Sequence, residues 1–183
     1  MKPKHYLLIF LVLSISVISV IAQSPKNIEL VSATDNTKFR LSDAKGKYVA
    51  LHFLLKTECP YCIRYTNDII SKAVSLPNVV QIFIKPDTDE EIKAWSAKLP
   101  AEEIKKFPIY RDPDAKLATQ FNIPDGYKFH NQTVHYPALI LLGPDGKEVF
   151  RYIGRNNTDR FSFEQLTAKI HELTGKLSQS MHQ

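Results

Sequence analysis

A run of eight residues, 48–55, is almost entirely apolar, and only His52 in it is strongly polar. Such a run is typical of a central strand that is covered on both faces. Residues 63–76 follow with apolar side chains at helical spacing, and Pro77 ends that pattern. A second apolar run covers 79–84. Strand, helix and strand in this order predict a right-handed parallel unit and therefore an α/β fold.

The rest of the chain adds hairpins and helices to this unit. Turn-forming residues at 33–36 and 143–146 each separate two strand patterns, which predicts two antiparallel hairpins. The strand patterns cover 27–31 and 37–41 in the first hairpin, and 138–142 and 148–153 in the second. Helical patterns cover 89–99, 101–106, 114–121 and a final stripe from Phe163 to Leu177, whereas 122–136 has no clear period and is predicted to be a loop. We therefore expect one domain with a central mixed β-sheet flanked by helices and an N-terminal β-hairpin.

Composition excludes several other classes of protein. With 44% hydrophobic and 23% charged residues, the chain is close to the average of globular domains and is not intrinsically disordered. Its net charge of +5 comes without a dense run of Lys and Arg, so no nucleic-acid partner is expected. Two cysteines in 183 residues exclude a disulfide scaffold.

The first 22 residues predict export. Lys2 and Lys4 precede an apolar stretch, and Val20 and Ala22 occupy the −3 and −1 positions of a signal-peptidase site. The apolar stretch is shorter than the roughly 20 residues that span a bilayer. We expect residues 1–22 to be a signal peptide, with membrane contact only if it stays uncleaved. Residues 23–183 would then form the domain in the periplasm or as a secreted protein, where thiols are not kept reduced.

Cys59 and Cys62 lie between the buried strand and the helix. As a structural staple they would contribute little, because the stabilisation by a disulfide falls as the loop it closes shortens. A zinc site needs two further ligands at paired spacing, and haem attachment needs a histidine where Ile63 stands, so no metal or other cofactor is expected. Redox chemistry fits better. The helix N-terminus favours a thiolate at Cys59, and Cys62 is close enough to close a disulfide and release a bound partner.

Three segments resemble the thioredoxin-like superfamily, and within it the redoxin branch of peroxiredoxins and exported thiol–disulfide oxidoreductases. Residues 41–53 are similar to the redoxin lead-in to the central strand, and residues 136–149 are similar to the family's cis-proline strand and hairpin. The motif Cys59-Pro-Tyr-Cys62 is identical in type to the glutaredoxin active site. The resemblance implies a thioredoxin-like fold and dithiol–disulfide exchange with a thiol- or disulfide-containing protein substrate and a redox partner.

The resemblance also implies a role for each site residue. Cys59 attacks or is attacked, Cys62 resolves, and the two form the redox-active disulfide. Pro137 would be cis beside that disulfide, and the backbone of Tyr136 would pair with a bound substrate chain. Four more residues are expected to support the site: Glu58, which stands where thioredoxins have Trp; Pro60 and Tyr61, which tune the reduction potential; and His52, since either it or Phe53 takes the place of a buried acid.

Two alternatives remain open. The peroxiredoxin pattern Pro-x-x-x-Thr-x-x-Cys falls on Leu55, Cys59 and Cys62, which would make Cys62 the peroxidatic and Cys59 the resolving thiol of an antioxidant enzyme. The proline and threonine of that pattern are replaced here, and the arginine expected within 134–138 is missing, so exchange is the favoured prediction. A copper chaperone of this fold would use Cys59, Cys62 and His135, but the two cysteines of such proteins are usually four residues apart rather than three.

Overall fold

The computed structural model describes residues 25, 27–56, 59–129 and 132–180. The predicted signal peptide, residues 1–22, lies outside the described residues, as does Glu58. None of the described helices is long and apolar enough to cross a membrane.

The chain forms nine named strands and five α-helices within the described ranges. The strands are β1 (Glu29–Val31), β2 (Lys38–Arg40), β3 (Tyr48–Phe53), β4 (Val79–Lys85), β5 (Ile109–Arg111), β6 (Asp125–Phe129), β7 (Gln132–His135), β8 (Ala138–Leu142) and β9 (Glu148–Ile153). The helices are α1 (Pro60–Lys72), α2 (Asp89–Ser96), α3 (Ala101–Lys106), α4 (Lys116–Gln120) and α5 (Phe163–Ser180).

The main sheet has five strands in the order β5-β4-β3-β8-β9. Strand β4 pairs in parallel with β3 and β5, whereas β8 pairs antiparallel with β3 and β9. All six residues of β3 are buried, as expected of a central strand. The mixed α/β sheet, the parallel β3–α1–β4 unit and both predicted hairpins are confirmed.

The side chains of β3 alternate between two cores on opposite faces of the sheet. Ala50 and Leu54 pack with α1 and α5, whereas Leu51 and Phe53 pack with the N-terminal hairpin and α4. Because side chains alternate along a strand, His52 points to the same face as Ala50 and Leu54. Its polar ring therefore lies in the core that also contains Cys62.

The loop prediction for residues 122–136 was wrong. This segment contains β6 and β7, which form a two-stranded sheet separate from the main one. The two strands pair through backbone hydrogen bonds to each other. They therefore need no alternating apolar pattern of the kind that marks a strand packed against the core, and the sequence shows none. The three-residue strand β5 also went unpredicted, because so short a strand shows no measurable period.

Candidate active site

The two cysteines lie where β3 has ended and α1 begins. Cys59 is the N-cap residue, and Pro60 follows at the start of the helix, where its missing N–H removes no helical hydrogen bond. The Cys62 amide donates to the Cys59 carbonyl at 3.1 Å, which closes the first turn. Cys59 is half-buried, Cys62 is 0% exposed, and both are free thiols in the structure. The pair is thus in its reduced form, and Cys59 is the more accessible of the two.

Arg160 contacts both sulfurs and is the site residue that sequence reasoning missed. It lies in the loop between β9 and α5, and its Nη2 donates to Cys59 Sγ at 3.3 Å and to Cys62 Sγ at 3.1 Å. Its Nη1 donates to the Asn157 carbonyl at 3.0 Å, and its guanidinium carbon lies 5.8 Å from the centre of the Tyr65 ring. No local pattern singles out this arginine, because 98 residues separate it from Cys62.

The two thiols have opposite pKa shifts. Burial opposes ionisation of Cys62, but the hydrogen bond from Cys59 and the positive charges of Arg160 and Lys85 outweigh it and lower the pKa of Cys62 to about 6. The hydrogen bond with Cys62 and burial raise the pKa of Cys59. The expectation of a thiolate at Cys59 is therefore corrected. When the pair loses its first proton, the negative charge lies on Cys62 Sγ, the sulfur closer to Arg160. Cys59 keeps its own proton and donates a hydrogen bond to that sulfur.

Lys85, the last residue of β4, is a second site residue that the sequence did not indicate. It is fully buried; its Nζ donates to the Leu55 carbonyl, lies 3.2 Å from Asp87 Oδ2 and lies 4.6 Å from the centre of the Trp95 ring. The bond to Leu55 ties the chain just before the cysteine motif to β4. The buried ammonium also supplies one of the positive charges that lower the pKa of Cys62.

His52 is hydrogen-bonded at both ring nitrogens and does not contact the cysteines. Its Nδ1 is 2.7 Å from the Tyr65 hydroxyl, its Nε2 is 2.7 Å from Gln81 Oε1, and its ring stacks on Phe83 at 4.8 Å. Burial lowers the pKa of His52 to about 4, so the ring is neutral at physiological pH. His52 therefore accepts a hydrogen bond from Tyr65 and is not the proton acceptor of the thiols.

The Tyr136–Pro137 peptide bond is trans, so the cis geometry implied by the resemblance is wrong. The Tyr136 amide donates to the Pro124 carbonyl at 3.0 Å, and the Tyr136 carbonyl accepts from His135 Nδ1 at 2.6 Å. The Tyr136 amide thus has a partner within the chain, whereas its carbonyl can accept a second hydrogen bond, and the substrate-binding role of Tyr136 stays a prediction. Pro137 does lie at the site: with Tyr65, Arg160 and four other residues it lines a cavity of about 10 Å³, the space of one water.

Tyr61 is a supporting residue that faces solvent, as does its neighbour Pro60. Its side chain is 39% exposed, and the Arg64 guanidinium lies over its ring at 4.9 Å from the centre. Such cation–π contacts hold an exposed aromatic ring in place. Tyr61 and Arg64 thus form part of the surface beside Cys59, where a substrate would approach.

The structure does not bring His135 to the cysteines. Its ring is buried and packs edge-on against Phe53, which belongs to the core on the opposite face of the sheet. Among the residues that the structure describes, no three His, Cys, Asp or Glu side chains form a group that could hold a metal ion. The copper-chaperone alternative required Cys59, Cys62 and His135 together, so this arrangement contradicts it.

Gly154 holds the loop of Arg160 against Pro137, and a side chain there is expected to displace that loop. The Gly154 amide donates to the Pro137 carbonyl at 2.8 Å, and a Cβ would lie 2.3 Å from the Asp159 carbonyl oxygen. We expect Gly154→Ala to lower the free energy of unfolding by about 1–3 kcal/mol in urea denaturation. The control is Gly175→Ala on α5, where a Cβ has open space and a gain of up to about 1 kcal/mol is expected. Unchanged stability of Gly154→Ala would contradict the close packing described here.

Comparison with solved structures places this fold among known redox proteins. The structure matches Enterococcus faecalis AhpC with a TM-score of 0.69 at 20% identity, covering 85% of this chain and 92% of that one. It matches the exposed lipoprotein thioredoxin of Streptococcus pneumoniae with a TM-score of 0.62 at 22% identity, covering 80% of this chain and 98% of that one. At these identities the likeness shows the fold, which is thioredoxin-like.

Sequence comparison identifies the family. Probable nucleoredoxin 3 of Oryza sativa subsp. japonica is 30% identical over 156 residues, which cover 81% of this chain and 30% of the rice protein. The chain thus spans less than a third of the length of that curated relative. The model of the AhpC/TSA family matches residues 21–149. With most of its length matched by that model, the chain belongs to the AhpC/TSA family and to the redoxin branch of the thioredoxin-like superfamily.

Proposed function

We propose that the chain is an exported thiol–disulfide oxidoreductase that exchanges disulfides with protein substrates through Cys59 and Cys62. The observation that carries the proposal is the unequal exposure of the two residues. Cys59 is half-buried at the end of a helix, whereas Cys62 is 0% exposed. A disulfide in a protein substrate can reach a sulfur only at the surface, so Cys59 is the residue that attacks it.

The proposed reaction has two balanced steps. Once the proton that Cys59 shares with Cys62 has moved to Cys62, the Cys59 thiolate attacks one sulfur of the substrate disulfide, the substrate S–S bond breaks, and one substrate thiolate leaves. Cys62 then attacks Cys59 Sγ, which forms the Cys59–Cys62 disulfide and releases the second substrate thiolate. The substrate gains two electrons and, on protonation, two protons. A redox partner must later supply two electrons and two protons to the enzyme to reduce its Cys59–Cys62 disulfide.

The charge distribution supports both steps. Because Arg160 donates to both sulfurs, moving the shared proton from Cys59 to Cys62 keeps the negative charge beside the same guanidinium. In the mixed disulfide Cys59 no longer donates to Cys62, but the positive charges of Arg160 and Lys85 remain and favour the Cys62 thiolate that the second step needs. Neither step of disulfide exchange needs a further hydrogen-bond donor.

A thiol peroxidase is the second candidate, and Arg160 is the observation that favours it. In the peroxiredoxin register Cys62 is the peroxidatic thiol, and Arg160 supplies the guanidinium that is missing from residues 134–138. Cys62 would attack the peroxide to give a sulfenic acid and an alcohol or water, and Cys59 would condense with it to a disulfide and water. Against this candidate, Leu55 and Cys59 replace the proline and threonine of the pattern, and the one-water cavity beside Arg160 is not lined by either cysteine.

The relative rates of the two reactions test the proposal. We expect the reduced enzyme to react with hydrogen peroxide about as slowly as an ordinary accessible thiolate and with a peptide disulfide much faster. Leu55 and Cys59 replace the proline and threonine of the peroxidatic pattern, whereas exchange needs only a thiolate, a leaving group and access. Stopped-flow fluorescence of Trp95, which contacts Lys85 at the site, follows both reactions. A peroxide rate several orders of magnitude above that of free cysteine, lost in Cys62→Ser and kept in Cys59→Ser, would establish the peroxidase instead.

Export completes the proposal and rests on the sequence of residues 1–22. A basic head, a short apolar stretch and a small residue before the cleavage point are the pattern of a secretory signal. The domain would then be residues 23–183, working in the periplasm or as a secreted protein. Protein disulfides persist in such compartments, so an enzyme that exchanges them has substrates there.

A further inference from the structure

We propose that Gln81, His52 and Tyr65 form a chain of hydrogen bonds that holds the Arg160 guanidinium over the two sulfurs, and that these three are positioning residues for the dithiol chemistry. The inference rests on the proposed function, because it assigns these residues to the reactivity of the Cys59–Cys62 pair.

The direction of each hydrogen bond follows from the chemistry of its partners. Gln81 Oε1 only accepts, so His52 must carry its proton on Nε2. His52 Nδ1 then accepts, and the Tyr65 hydroxyl donates to it. The Tyr65 ring is thereby fixed through its hydroxyl, and the face of that ring is what the Arg160 guanidinium lies against, at 5.8 Å from its centre. A single chain of contacts thus leads from the central sheet to the cation at the sulfurs.

Stability alone does not explain a polar chain at this place. His52 and Gln81 are 0% and 5% exposed, and the Nε2 of Gln81 has no hydrogen-bond partner among the described residues. Burying polar groups costs free energy unless every donor and acceptor is satisfied, so apolar residues of similar size would stabilise this core at least as well. Unlike apolar residues, this chain of hydrogen bonds fixes the orientation of the Tyr65 ring.

That orientation matters because the Arg160 guanidinium contacts both sulfurs. Among the residues that the structure describes, Arg160 from the β9–α5 loop and Lys85 from β4 are cations that lower the pKa of Cys62. Lys85 is held by its own buried partners, whereas the Nε of Arg160 is buried without a partner among the described residues. The position of Arg160 therefore depends on its bond to Asn157, on the sulfurs themselves and on the Tyr65 ring.

Thiolate titration of the reduced protein tests the inference. Tyr65→Phe keeps the ring and removes the hydroxyl, and His52→Leu removes the acceptor. For both variants we expect the thiolate fraction near pH 6, read from ultraviolet absorbance, to fall about twofold, which corresponds to about half a pKa unit. His52→Asn is expected to restore the wild-type curve, because its side-chain oxygen can accept from Tyr65. Thr66→Val is the matched control, since Thr66 is a buried neighbour on α1 whose hydroxyl has no described partner.

Each outcome decides a separate point. Loss of thermal stability in Tyr65→Phe and His52→Leu with an unchanged titration curve would overturn the inference and leave these residues a purely structural role. An equal shift in Thr66→Val would overturn it too, because any disturbance of α1 would then suffice. The titration uses no substrate, so failure of the proposed disulfide exchange would be seen separately, as absent turnover with these shifts intact.

Discussion

We expect Cys59→Ser to abolish the reduction of a protein disulfide, and Cys62→Ser still to attack the substrate and to accumulate as a mixed disulfide through Cys59. The reason is access: the first bond must form at the half-buried cysteine, and the fully buried one can act only on a sulfur already bound beside it. We expect turnover to fall by about three orders of magnitude or more in either variant. Mass spectrometry of a non-reducing reaction mixture distinguishes them, because the adduct persists only in Cys62→Ser. A stable adduct on Cys62 in Cys59→Ser would contradict the assignment.

Arg160→Met is expected to have the second largest effect. As the pH is lowered, the wild-type pair keeps its thiolate until about pH 6, because Cys62 is protonated only below its lowered pKa. Without the guanidinium that pKa rises toward its ordinary value, so the thiolate fraction and the exchange rate near pH 6 fall by roughly a hundredfold, and the loss narrows as the pH is raised. The pH dependence of the exchange rate measures this directly.

Two control variants sharpen the test of Arg160. Arg160→Lys keeps the charge but lacks the planar fork that reaches two sulfurs at once, so an intermediate loss is expected. Arg155→Met removes a nearby loop arginine that pairs with Asp159 rather than with the cysteines, and it should leave the rate within about twofold. An Arg160→Met enzyme with the wild-type pH profile would show that the contact in the structure does not govern reactivity.

The parts of the fold that the sequence predicted are those with local signals. The buried run 48–55, the following helix and the turn at 143–146 are each recognisable within about ten residues, because burial and turn chemistry leave a pattern at short range. The placement of Cys59 and Cys62 at a helix start is of the same kind, since it depends on the strand before them and on Pro60.

The charges that set the reactivity of the cysteines could not be predicted in that way. Arg160 and Lys85 reach the site through the packing of a distant loop and a neighbouring strand, and neither stands in a motif with the cysteines. The thiolate was accordingly expected at Cys59 on the basis of the helix end alone. Adding the two cations and the hydrogen bond between the thiols moves it to Cys62. The resemblance implies that the backbone of Tyr136 pairs with substrate, and nothing in the sequence shows its bonds to Pro124 and His135.

The central claim is that Cys59 and Cys62 form a reversible redox pair, and equilibration with glutathione redox buffers tests it most directly. The protein is incubated across a series of ratios of reduced to oxidised glutathione, quenched with acid, and its free thiols are labelled and counted by mass. The account predicts one two-electron transition between the dithiol and the intramolecular Cys59–Cys62 disulfide, with the same midpoint from both directions. A protein that forms no Cys59–Cys62 disulfide at any ratio, and instead carries glutathione or a sulfinic acid on one cysteine, would contradict the account.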